Sequence, residues 1–236
     1  MNKHLLPLAL LAALTACKKA EDPQAAAAAQ AAQQEAAAAP LKKNFDDAVA
    51  ARHWELALSQ GDELRSRYPG TQAAAAIAPQ YAEVDKEVKA ARATRRLRNL
   101  WDYQDVAAGK GRQLSAAILS KERIDIDNGR STVQLIFRDH PEWGRSAYLV
   151  MQRGDFDCYG GCRLKLEVDG KPRTLAGSRP KTDEAIAMFI EDEAALWRIF
   201  KSAKEVSIEF PVRPSGTRIA VFESGGLDPA RLPKWK

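Results

Sequence analysis

The sequence predicts an α+β chain, with an N-terminal helical hairpin followed by an antiparallel β-sandwich or open barrel that carries one late helix. Large apolar residues recur at three- to five-residue spacings from Leu41 to Asn99, as in an amphipathic helix. From Leu100 the texture changes to short alternating runs, and a helical period returns between Glu191 and Ala203.

The first residues hold Lys3, an apolar run from Leu5 to Leu14 and then small side chains, the three zones of a secretory signal. That run is about ten residues, where a membrane-spanning helix needs roughly 20. Residues 1–16 are therefore expected to be a signal peptide. Leu14-Thr15-Ala16-Cys17 resembles the lipobox of bacterial lipoproteins, which implies that Cys17 is lipidated, by palmitate among other chains, and becomes the mature N-terminus. Lys18 in place of Asp implies, by the same resemblance, transport to the outer membrane, with the protein facing the periplasm. The formal charge of +5 loses only Lys3 with the signal, leaving about +4. This mild excess suits acidic lipid or cell-wall partners, and its even mixing argues against nucleic acid.

Residues 17–40 are Ala- and Gln-rich and nearly without large apolar side chains, so they read as a lipid-anchored tether, a frayed helix or a coil, that ends at Pro40. In the helical region, 41–99, Phe45, Val49, Trp54, Leu58 and Leu64 precede a break at Tyr68-Pro69-Gly70-Thr71. A second helix is expected from about Thr71, carrying Ile77, Tyr81, Val84, Val88 and Ala91 on one face. Trp54-Glu55-Leu56-Ala57-Leu58, Leu64, Tyr68-Pro69-Gly70-Thr71 and Ala74 resemble a tetratricopeptide-type unit, without the further copies that an array needs. Lys86, Lys89, Arg92 and Arg96 fall on one helix face, either as a solvated C-terminal turn or as a contact for an anionic partner.

The β-rich domain, 100–236, is expected to hold about eight strands. Trp101 and Tyr103 open it, and Asp127-Asn128-Gly129-Arg130 reads as a hairpin turn joining Glu122–Ile126 to Val133–Phe137. Strands also fit Ala147–Met151, Leu164–Val168, Val206–Phe210 and Arg218–Phe222, with Asp169-Gly170 turning toward Arg173-Thr174-Leu175. Ala185–Ile190 fits either a strand or the first turn of a helix. The opening Trp-x-Tyr, the mid-domain cysteine and the ending Phe222-Glu223-Ser224-Gly225-Gly226-Leu227 are similar to small periplasmic proteobacterial domains of unknown or accessory function.

Lipidation of one of the three cysteines leaves Cys158 and Cys162, and Gly160-Gly161 between them permits the tight return of a disulfide. The spacing fits neither a redox Cys-x-x-Cys pair nor zinc, since His53 and His140 stand on separate elements, and no metal or cofactor is expected. No Gly-x-Ser-x-Gly turn is present, and His140 beside Asp139 reads as loop packing rather than a base. Asp155, Asp157, Asp183, Glu184, Glu191, Asp192 and Glu193 supply carboxylates, most of them beside turns. Arg138, His140, Trp143, Arg145 and Tyr159 are the residues of a candidate recognition patch. The sequence thus points to a non-enzymatic envelope lipoprotein that binds a protein or peptidoglycan partner. An immunity or inhibitor lipoprotein, and a cell-wall or polysaccharide hydrolase, are the alternatives.

Overall fold

The computed structural model describes residues 22–127, 129–180 and 186–235. Cys17 and the lipobox lie outside them, as do Asn128, Asp183 and Glu184. The chain divides into two units, Met1–Val88 and Lys89–Lys236.

The first unit is helical. Helix α1 (Pro23–Ala50) starts with the Asp22 carboxylate accepting the Gln24 N–H at 3.0 Å and with Pro23 in the first turn. It runs on through Pro40, so the helix of the Ala-rich stretch continues into the helical region past the boundary expected at the proline. Proline inside a helix costs about 3 kcal/mol. Alanines on its N-terminal side, and burial of Ala38, Phe45 and Ala48 around it, offset that cost.

Helix α2 (Trp54–Arg67) returns antiparallel against α1, ending at the predicted break. Helix α3 (Gln72–Ala76) is capped by the Thr71 hydroxyl, which accepts the Ala74 N–H at 3.2 Å. From α1, the Glu35 carboxylate accepts the Gln72 and Ala73 N–H groups at 2.8 and 2.9 Å, placing negative charge at the helix N-terminus. The expected single second helix is broken at Ile77, because Pro79 has no N–H to continue the ladder, and α4 (Ala78–Arg98) starts afresh. Phe45, Ala57, Leu64, Ile77, Val84 and Val88 form the shared core. A side chain at Gly61 would meet the Tyr81 ring at 2.7 Å, so glycine lets the two elements approach.

The second unit contains the end of α4 and twelve strands. In chain order these are β1 (Trp101–Ala108), β2 (Gly111–Leu119), β3 (Ile124–Ile126), β4 (Gly129–Ser131), β5 (Val133–His140) and β6 (Gly144–Met151). There follow β7 (Asp155–Phe156), β8 (Cys162–Val168), β9 (Lys171–Ser178), β10 (Ala187–Ile190), helix α5 (Glu193–Ser202), β11 (Val206–Arg213) and β12 (Gly216–Phe222). Ten strands form one antiparallel sheet in the order β1-β2-β5-β6-β10-β9-β8-β11-β12, with β7 beside β11.

Ile126 pairs with Gly129, so the hairpin joins β3 to β4, which form a separate two-stranded sheet; β5 pairs instead with β2 and β6. Asp169 and Gly170 take positive φ of 47° and 80°, the two-residue turn that matches the strand twist between β8 and β9. Cys158 and Cys162 are bonded, with Cα atoms 5.2 Å apart, at the start of β8. Over a loop this short the crosslink contributes about 2 kcal/mol by chain entropy.

Inward side chains from β1 through β12 share one core with Leu196, Trp197 and Phe200 of α5. The sheet therefore curls round the helix, although no strand pairing joins β1 to β12. The Asp192 carboxylate caps α5, accepting the Ala195 N–H at 2.7 Å. Phe137 stands at the centre, with its ring centroid 5.0 Å from Trp197, 5.3 Å from Trp235 and 5.5 Å from Phe200.

Phe137→Ala should lower unfolding stability by about 3–5 kcal/mol, read as a shifted denaturant midpoint with unchanged slope. A loss below about 1 kcal/mol would contradict this packing.

Candidate binding face

Because β5 points Leu135 and Phe137 inward, it must point Gln134, Ile136, Arg138 and His140 outward. Register aligns Ala117, Ile136, Tyr148 and Phe189 across four neighbouring strands on that outer side. Leu119 and Val150 flank Gln134 in the adjacent row. Two of the most exposed large apolar side chains border this face, Trp143 at 68% and Leu119 at 55%. A half-exposed apolar strand face with such groups at its border suits a binding surface.

Arg138 stands in the middle. Its guanidinium lies 5.4 Å from the Trp143 ring and 5.2 Å from the Tyr148 ring, and its Nε donates to the Ser146 hydroxyl at 3.2 Å. The Tyr148 ring tilts against Phe189 at 5.3 Å. Burial raises the Tyr148 phenol above its ordinary 10.0 while Arg138 opposes the rise, so the hydroxyl remains a neutral donor.

Of the predicted patch, the structure brings Arg138, His140 and Trp143 together. His140 stacks on Trp143 with ring centres 3.9 Å apart, and its Nδ1 accepts the Glu142 and Trp143 N–H groups at 3.2 and 3.3 Å. That ring nitrogen is committed to the hairpin turn. Asp139 faces the opposite way and pairs with Lys234 at 3.2 Å, so the two neighbours form no dyad.

Arg145 also lies on the other side, over Trp235 at 5.6 Å and donating to the Lys234 carbonyl. Tyr159 belongs to a separate cluster at the disulfide loop. Its ring lies 4.3 Å from Arg179 and 5.2 Å from Arg213, which pair with Asp155 and Asp157 at 2.8 and 2.9 Å. These carboxylates hold the loop. Glu191 accepts the Ser178 hydroxyl, and Glu193 lies 4.0 Å from Arg145. Among the described residues no group of His, Cys, Asp or Glu is placed to hold a metal ion.

Neither composition nor motif marks Tyr148, Phe189, Ile136 and Leu119. The usable signal is that Gln134–Phe137, Ala147–Met151 and Ala187–Ile190 are nearly continuous apolar runs where a one-sided strand would alternate.

The basic stripe of α4 has mainly internal partners. Arg96 grips Glu223 with two hydrogen bonds of 2.9 and 2.6 Å, and Lys86 lies 3.5 Å from Glu83. Lys89 and Arg92 each have an interaction of their own. A groove of about 670 Å³ between the β3 region and β12 is lined by Lys121, Arg123, Asp125 and Arg218 among others. Its charges are largely spoken for: Lys121 pairs with Glu205, and Arg218 donates to the Asp125 carbonyl. No family model matches the chain, and neither a curated protein nor a solved structure matches it at a significant level.

The Arg96 guanidinium holds the Glu223 carboxyl below its ordinary 4.5, so the pair stabilises the fold above that pH and fades as pH falls through the lowered value. The midpoint difference between wild type and Arg96→Gln should therefore be present at pH 7 and shrink in a denaturation series taken below pH 4.5. A difference that stayed constant down to pH 3 would contradict the pairing.

Proposed function

We propose that this chain is a lipoprotein held at the periplasmic face of the outer membrane, where it binds a protein partner without catalysing a reaction on it. The tether rests on the likeness of Leu14-Thr15-Ala16-Cys17 to a lipobox and on cysteine parity, since Cys158 and Cys162 are paired with one another. The binding role rests on one observation, the outward apolar face of β2, β5, β6 and β10 with Trp143 and Leu119 in solvent at its border. Aliphatic and aromatic groups on an open strand face suit the flat, dry centre of a protein–protein contact. The aliphatic Leu119, Ile136 and Val150 on this face, which neither stack on nor hydrogen-bond a sugar, favour a protein over peptidoglycan as the partner.

Labelled palmitate should enter the wild-type chain and not Cys17→Ser. A periplasmic pull-down should recover a discrete partner with wild type and lose it with the double variant Leu119→Asp, Trp143→Ala. Clearing of peptidoglycan in a zymogram by the purified chain would overturn the non-enzymatic reading. Equal recovery by wild type and the double variant would overturn the placement of the face.

A further inference from the structure

We propose that the partner presents a carboxylate, set among apolar side chains, and that Arg138 is its receptor. This deepens the binding reading above and rests on it. At the outward positions of β2, β5, β6 and β10, Arg138 is the one formally charged side chain among the described residues. An arginine flanked by Trp143 and Tyr148, with Ile136 next on the same face of its strand, is costly to desolvate alone, and a contact that covers this face must supply it with an anion.

The geometry has the features of a prepared receptor. Nε is occupied by the Ser146 hydroxyl at 3.2 Å, which fixes the plane of the guanidinium. Trp143 and Tyr148 hold that group at 5.4 and 5.2 Å by cation–π contact. No carboxylate of the described residues lies within ion-pair distance of it, whereas Arg179 and Arg213 each have an aspartate and Arg96 a glutamate. The Nη groups remain to make the two parallel hydrogen bonds that arginine forms with a carboxylate. Restricting the side chain beforehand lowers the entropy lost on binding.

The surrounding surface selects the kind of partner. Beside Arg138 and its aromatic neighbours, Leu119, Ile136 and Val150 are aliphatic and suit the apolar side chains of a protein segment. A membrane surface is attracted by clusters of several cations, and this face has a single one. An acidic protein segment with flanking Leu, Ile or Phe side chains meets both requirements, with arginine and tryptophan at the centre of the contact.

Selection of random dodecapeptides displayed on phage against the full mature chain tests this. The expected outcome is enrichment of peptides with Asp or Glu next to large apolar residues. Their affinity should fall at least tenfold on Arg138→Gln and should not be restored by Arg138→Lys. The same loss should follow when the acid in the peptide is changed to its amide and wild-type protein is used, which reads the pair without depending on the folding of a variant. Peptides that require Leu119 and Trp143 but are indifferent to Arg138 and to their own acid would overturn the carboxylate proposal and leave the binding face standing. Peptides bound equally by Leu119→Asp, Trp143→Ala would remove the face itself, and the proposal with it. Sedimentation of the chain with vesicles of anionic phospholipid, abolished by Trp143→Ala, would assign the face to a membrane and overturn the proposal as well.

Discussion

The contact between Phe137 and the aromatic residues around α5 is the constraint on which the β unit depends. Phe137 meets Trp197, Phe200, Trp235 and, at 6.3 Å, Trp101, so a single side chain links β1, β5, α5 and the C-terminal segment. Trp197 is buried and directs its indole N–H to the Trp235 carbonyl at 3.0 Å, which satisfies the polar atom brought in with the ring. The same contact fixes the binding face. Strand side chains alternate, so anchoring Phe137 inward obliges Ile136 and Arg138 to face out, and a slip of one residue would exchange the two sets.

The seam between β1 and β12 is the fold's second problem, because strand pairing does not close it. The chain covers it with the end of α4 and the residues after β12. Arg96 pairs with Glu223, and the buried Ser224 hydroxyl donates to the Ala203 carbonyl at 2.9 Å. The Tyr103 hydroxyl of β1 accepts the Asp228 N–H at 2.6 Å. At Gly226 a Cβ would lie 2.2 Å from the Leu97 backbone, so only glycine allows that approach. The opening Trp-x-Tyr and the closing Glu-Ser-Gly-Gly, far apart in sequence, thus meet at one seam, and at least Arg96 of the basic stripe serves the fold.

Local chemistry made much of this legible. Asp169-Gly170, the break at Tyr68-Pro69-Gly70-Thr71, the late amphipathic helix and the Cys158–Cys162 bridge follow from turn, cap and loop-closure rules that act within a few residues. Pro40 does not end α1, since the rule against proline in a helix is local and the burial of Phe45 and Ala48 that overrides it is not. The short β3–β4 hairpin stands apart from the main sheet because pairing partners are chosen by register across the whole fold. Arg145 and Tyr159 are near Trp143 in sequence only, since the pleat sends Arg145 to the opposite side and Tyr159 joins the disulfide loop. Arg138 is legible in the sequence as a cation, but its value as a site comes from Trp143 and Tyr148, which the β5–β6 register brings beside it.

A partner seated on the outer side of β2, β5, β6 and β10 is tested by photo-crosslinking in intact cells, with a photoreactive residue placed singly at Leu119, Trp143 or Val150 and, as a control, at the exposed Arg163 or Arg173 elsewhere on the sheet. One discrete protein adduct shared by the three face positions and missing from the controls is expected. Adducts formed only at the control positions, or the same pattern at all five, would contradict it.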